Sequence, residues 1–205
     1  MLLTTRLVAR CVGIAICLGA FTGCLNQVRY DNKVSAAVNP SFRSIDTKTR
    51  SHLILPFTVT DPEYQTAYAA PAKASTQKLL AEWFESSMIQ AGYSLVDRSR
   101  LPDVLKELAL AETGLTQDSG LHIGQLMSAQ VVVFGVVPIA RNKAGNQSGS
   151  TVYSLKAVDV ETSAIIWKLD LNCARSGDMR ANSALYAQES SESCFKEGLA
   201  ALSPK

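Results

Sequence analysis

The alternation of apolar and polar residues predicts a β-sheet with helices packed on it. Apolar and polar positions alternate from Ala164 to Cys173, which is typical of a strand with one covered face. Val131 to Ile139 is nearly all apolar, which predicts a central strand covered on both faces. Apolar residues three and four apart between about residues 72 and 91 predict a helix that Gly92 ends.

The remaining segments complete a fold of the α/β (α+β-like) class. Pro56 interrupts the first apolar run because it lacks a backbone donor, so an edge or a bulge is expected there. The further elements are strands at 53–59, 93–96, 151–160 and 164–173, and helices from about 101, at about 118–129 and at about 184–202. The order β-α-β-α-α-β-β-β-α implies a mixed sheet of about five strands with helices packed on it.

Residues 1–23 have the proportions of a secretory signal peptide. Arg6 and Arg10 precede an uncharged run of about eleven residues, which is too short to span about 30 Å of hydrocarbon as a helix. The segment from Phe21 to Cys24 resembles a bacterial lipobox, which implies that Cys24 is acylated. Leu25 at the next position favours the outer membrane, with the domain in the periplasm. An ordinary secretory signal with an incidental cysteine is the alternative.

The chain after the leader divides into a polar segment and a domain. Residues 24–50 contain the lipidated cysteine and a polar stretch without sustained periodicity, which predicts a tether. Extended, its 26 residues after Cys24 reach at most about 85–95 Å. The folded domain is expected at residues 51–205.

The net charge excludes one class of partner. The sequence has 20 Lys and Arg against 18 Asp and Glu, but Arg6 and Arg10 leave with the leader. The mature chain is therefore neutral, with 18 charges of each sign, and lacks the basic excess of a nucleic-acid binder. The mean hydropathy of +0.08 is likewise raised by the leader.

The cysteines fit an oxidising compartment. Cys11 and Cys17 leave with the leader and Cys24 is acylated, so Cys173 and Cys194 remain as an even pair. A disulfide between them is expected to contribute roughly 3 kcal/mol. A metal site is the weaker alternative, because zinc sites need more ligands than two isolated cysteines supply.

The sequence contains none of the common catalytic, nucleotide-binding or metal-binding motifs. His52 and His122 are expected to be structural or solvated, and the acidic pairs on helices are expected to form solvated faces. We therefore expect a protein that is not an enzyme, with no cofactor and no bound metal.

Four segments occur in a recognisable order. They are LPDVLKEL (101–108), IGQLMSA (123–129), VVVFG (131–135) and VDVETSAIIW (158–167). Together they resemble the curli assembly lipoprotein (CsgG) family, over about residues 52–170. Ser128 and Ser163 stand where that family has Gly, and Gln130 where it has Asp.

The resemblance implies the periplasmic domain of that family without its pore. Pore-forming members carry two long membrane-spanning hairpins, each strand of which needs about 9–11 residues. Only the loop 141–150 and a three-residue turn stand at those places here. Tyr64 and Tyr68 occupy the loop where the family places its constriction, which makes them candidate interaction residues.

The resemblance implies binding functions rather than catalysis. The first is an assembly component of a secretion or cell-envelope complex, with envelope proteins or further copies of the chain as partners. The alternative is a lipoprotein activator of a penicillin-binding protein, or a flagellar outer-membrane lipoprotein. The activators usually have a longer, proline-rich tether. An enzyme with an unrecognised site is the third possibility.

Overall fold

The computed structural model describes residues 28–42, 47–62, 70–108, 116–142, 148–177 and 183–203. Within them lie six strands and four α-helices, with short 3-10 helices at Pro40–Phe42 and Thr47–Thr49. The strands are β1 (Arg29–Val38), β2 (His52–Ile54), β3 (Thr58–Val59), β4 (Val131–Asn142), β5 (Ser148–Asp159) and β6 (Ile165–Ser176). The helices are α1 (Ala70–Gln90), α2 (Leu101–Glu107), α3 (Gln117–Leu126) and α4 (Ser183–Ala201).

The six strands form one mixed sheet, which confirms the predicted fold class. Its order is β1-β6-β5-β4-β2, and β3 also pairs with β4. The pairs β1–β6, β6–β5 and β5–β4 are antiparallel, whereas β2 and β3 run parallel to β4. No helix among the described residues has the length and apolar character needed to cross a membrane.

The predicted tether is wrong for residues 29–38, which form the edge strand β1. All ten residues pair with β6, from Arg29 opposite Ser176 to Val38 opposite Trp167. The segment is polar because most of its side chains are exposed, and only Asn32, Val34 and Val38 are half-buried. Backbone hydrogen bonds hold this strand, and they need no apolar pattern in the sequence.

Two predicted strands are shorter than expected. The run Leu53–Val59 is divided around Pro56, where the N–H of Phe57 donates to Gln77 of α1 over 3.3 Å instead of to a strand. The segment 93–96 forms a single parallel bridge between Leu95 and His52. The predicted loop 141–150 is also shorter, because β4 and β5 remain paired up to Asn142 and Gly149.

Helices cover the two faces of the sheet unequally. We call the face under α1 and α4 the large core and the region under α2 and α3 the small core. The large core contains Phe57, Phe84, Tyr153, Trp167 and Phe195 among its buried residues. The small core is built on β2 and β4 and contains Leu53, Leu55, Leu101, Val104, Ile123, Ala129 and Val132.

The strands define two ends of the molecule. At the first, which we call the proximal end, β1 begins at Arg29 and β6 ends at Ser176. At the opposite, distal end, residues 160–164 join β5 to β6. Since β6 has 12 residues, the steps of about 3.4 Å between its first and last residues place the ends of this strand about 37 Å apart.

The alternation predicted for β6 fails at its first residues. Ile165 was expected on the covered face but is exposed, whereas Ile166 and Trp167 are both buried. The pairing between β5 and β6 shifts register between Ala157 and Val158, which is a bulge. A bulge breaks the two-residue period locally, so the alternation holds only from Trp167 onward.

Candidate interaction surfaces

The structure places one histidine in the core and the other at the surface. His52 is buried, its Nδ1 lies 2.7 Å from the Arg50 carbonyl oxygen, and its ring meets Tyr93 edge-on. Burial lowers the pKa of His52 below its ordinary value, which keeps the imidazole neutral. His122 is exposed on α3. The part of the chain that the structure describes holds no group of three or more residues able to bind a metal ion.

Asp159 organises the distal turn. One of its oxygens accepts hydrogen bonds from the Thr162 N–H at 2.8 Å and the Glu161 N–H at 3.1 Å. The other oxygen forms an ion pair with Arg50. Burial raises the pKa of this carboxyl, but the bonds from Thr162 and Arg50 outweigh burial and hold the pKa below its usual value. Asp159 is therefore a structural anion that joins the turn to the chain before β2.

Two of the three positions that depart from the resembled family adopt a left-handed backbone conformation. Ser128 and Ser163 have φ of 57° and 59°, and among the described residues they are the non-glycine residues with positive φ. Glycine adopts this left-handed region without strain, whereas a serine does so at a cost of roughly 1–2 kcal/mol. The glycine of the family pattern thus corresponds here to a turn geometry that the chain keeps with serine.

The acidic side chains on α4 make local contacts. Tyr30 of β1 donates to Glu189 at 2.6 Å, and Gln188 donates to Glu192 at 2.8 Å. Burial and the neighbouring Glu189 raise the pKa of Tyr30 to about 12. The first contact attaches β1 to α4, and the second stabilises the exposed surface of α4.

A buried cation at the proximal end was not expected from the sequence. Arg175 is only 4% exposed and lies across from Gly149, where an added Cβ would be 2.7 Å from a guanidinium nitrogen. Burial lowers the pKa of Arg175 and raises that of the nearby Tyr153 to about 12. The alternation from Trp167 to Cys173, continued by two residues, places Arg175 on the covered face, so the pattern contained the signal.

The structure joins Cys173 and Cys194 in a disulfide, the pair expected from the sequence. Their Cα atoms are 5.8 Å apart, and both residues are fully buried. The bond links β6 to α4 within the large core. Cys24, the expected lipidation site, and Tyr64 and Tyr68, the expected interaction residues, lie outside the described residues.

Among the described residues, no helix covers β1, β6 or most of β5 on the face of the sheet opposite the large core. Its polar side chains bind one another: Ser154 donates to Asp170 at 2.7 Å, and Lys168 lies 3.3 Å from the same carboxylate. We call this the open face, and its outward residues are Asp31, Lys33, Ser35, Ala37, Val152, Ser154, Lys156, Lys168, Asp170, Asn172 and Ala174. Its mixed charge and polar character are those of a solvated sheet face.

Comparisons with known proteins show similarity of fold only. No protein-family model matches the chain, and no curated protein matches it. The solved structures with similar folds include the PelC dodecamer from Paraburkholderia phytofirmans, at 14% identity, 85% of this chain, 99% of that chain and a TM-score of 0.48. Lipoprotein GNA1162 from Neisseria meningitidis is 14% identical, and the match covers 68% of this chain and 92% of that chain with a TM-score of 0.47. The LpoB C-terminal domain from Salmonella enterica is 16% identical, and the match covers 62% of this chain and 84% of that chain with a TM-score of 0.41.

Proposed function

We propose that this chain is a lipid-anchored, non-catalytic periplasmic protein of the outer membrane that acts by binding other proteins of the cell envelope. The observation that supports a non-catalytic role is that several side chains of the kind that enzymes use are held in structural contacts. His52, Asp159 and Glu189 are all engaged in contacts that hold the fold together. The open face carries polar groups and charges of both signs, which a partner can contact from solvent.

The β4–β5 hairpin favours a partner-binding role over a channel. The two strands stay paired up to Asn142 and Gly149, so the hairpin has no room for the long insertion that the resemblance implies for secretion pores. A compact domain that binds an envelope enzyme, such as a penicillin-binding protein, fits this geometry. Assembly into a complex of the curli type is the second candidate. The edge strand β1 favours it, because the outer edge of this ten-residue strand has no paired strand within the described chain and could pair with another molecule.

Lipidation is tested by Cys24→Ser, with Cys17→Ser as the matched control inside the leader. We expect Cys24→Ser to abolish labelling by radioactive palmitate and to release the protein from the membrane fraction. Cys17→Ser is expected to leave both unchanged, because that residue is removed with the leader. Labelling that persists in Cys24→Ser contradicts the anchor.

The two partner classes are separated by purifying the wild-type protein in mild detergent. Electron microscopy of a closed multi-copy particle supports the assembly role. A single copy that binds a purified penicillin-binding protein, and loses this binding when Asp170→Arg is introduced on the open face, supports the activator role. A single copy that binds no such enzyme and forms no particle contradicts both.

A further inference from the structure

The start of β1 limits the length of chain between the anchor and the domain. Val28 is the first described residue, and Arg29 already pairs with Ser176. Three residues, from Leu25 to Gln27, therefore lie between Cys24 and Val28, in place of the 26-residue tether expected from the sequence. At no more than about 3.6 Å per step, the four steps from Cys24 to Val28 span at most about 14 Å in any conformation.

The same strand also determines which part of the domain lies near the anchor. β1 begins at the proximal end, where its partner β6 ends. The other end of β6, at the distal turn, lies about 37 Å away. A link of about 14 Å is much shorter than this distance. The distal end therefore cannot be the nearest part of the domain to an acyl chain on Cys24 while β1 remains paired.

We propose that the bilayer surface is the partner of the proximal end, so that the domain stands on the membrane by this end with its distal turn pointing into the periplasm. The proposal rests on the acylation of Cys24. Arg29, exposed at the proximal end, adds a positive charge where anionic lipid headgroups lie. An envelope partner then has to meet the open face or the distal turn within about the length of the domain from the membrane.

This placement is tested by the quenching of a fluorophore by lipids that carry a nitroxide on the headgroup. The acylated protein is reconstituted into vesicles of phosphatidylethanolamine and phosphatidylglycerol that contain the nitroxide lipid. A bimane label is attached to Ser176→Cys at the proximal end or to Glu161→Cys at the distal turn, both exposed positions. The introduced cysteine is the free thiol, because Cys24 is acylated and Cys173 is bonded to Cys194.

We expect quenching at Ser176→Cys to be at least about threefold greater than at Glu161→Cys, because contact quenching falls steeply over the roughly 37 Å between the two ends. Equal quenching at both positions, or stronger quenching at Glu161→Cys, overturns the proposed orientation. Palmitate labelling of each variant is measured in parallel. Absent labelling contradicts the proposed function itself, whereas normal labelling with the wrong quenching pattern contradicts the orientation alone.

A lengthened link provides the matched control. An insertion of about 20 Gly and Ser residues between Gln27 and Val28 adds a coil with a root-mean-square length of roughly 22–27 Å. We expect this insertion to lower the quenching at Ser176→Cys at least about twofold while palmitate labelling stays normal. Unchanged quenching shows that the short link does not hold the proximal end to the bilayer, and it overturns the proposal.

Discussion

The two faces of the sheet differ in what their residues do. In the large core, Phe57, Phe84, Tyr153 and Phe195 pack ring against ring, with Tyr153 and Phe195 centroids 4.8 Å apart. On the other face, α2 and α3 cover the β2–β4 region, and no described helix covers β1, β6 or most of β5. We therefore expect the stability of the fold to depend mainly on the large core, because most of the buried apolar side chains lie there. The other face carries polar residues along β1, β5 and β6.

The large core is tested first, because its loss is expected to have the largest effect. Phe195→Ala removes a fully buried ring that contacts three other aromatic side chains. We expect it to lower the free energy of unfolding by about 3–5 kcal/mol in urea denaturation. Ser35→Ala on the open face is the control and is expected to change it by less than about 0.5 kcal/mol. Similar losses in both variants would contradict the division between the faces.

The disulfide is expected to come next, since it joins β6 to α4 across the large core. Its cysteines are 21 residues apart, and closing a loop of this length contributes about 3 kcal/mol by limiting the unfolded chain. The double variant Cys173→Ala with Cys194→Ala is expected to lose about this amount in urea denaturation. A reductant should lower the stability of the wild type towards that of the double variant and leave the double variant unaffected. A wild type insensitive to reductant would show that the bond is not formed.

The small core depends on the close approach of α3 to β4. At Gly124, an added Cβ would lie 2.5 Å from Val132 Cγ2 and 3.0 Å from Val160 Cγ2. We expect Gly124→Ala to cost about 1–3 kcal/mol through this overlap. Adding Val132→Ala makes room for the new methyl group, so the double variant should lose less than the sum of the single losses. Additive losses would mean that the overlap is not the cause.

The smallest effect is expected at the two serines with positive φ, and it has the opposite sign. Ser163→Gly and Ser128→Gly remove left-handed strain from exposed positions, which outweighs the added freedom of the unfolded chain. We expect each to raise the free energy of unfolding by up to about 1 kcal/mol. Ser35→Gly, in the extended backbone of β1, is the control and should lower it by about 0.5–1 kcal/mol. A loss at both turn positions would show that these serines stabilise the turns by another means.

The sequence predicted the elements whose buried apolar residues recur at a regular spacing. The helices α1, α3 and α4 lie within one or two residues of their expected starts, because their apolar positions recur at helical spacing. Val131, Val132 and Val133 are fully buried, as expected for a central strand covered on both faces. The lipidation of Cys24 and the roles of Tyr64 and Tyr68 stay predictions.

Other features depend on neighbours that are distant in the sequence. The strand β1 was not found because an exposed edge strand shows little apolar alternation, and its partner β6 lies more than 100 residues later. Arg50 and Asp159 form their ion pair across a similar separation, so neither residue indicates it alone.

The sequence by itself determined the class of the fold and the buried strands, because the burial of side chains imposes a period on the residues. It also predicted the pair Cys173 and Cys194, because these two cysteines remain once the other three are accounted for. The tertiary structure alone decided that residues 29–38 of the supposed tether form a strand, whose pairing with β6 begins at Arg29. The physical reason is that strand pairing uses backbone hydrogen bonds, which almost any residue provides, so the pairing leaves little trace in the sequence.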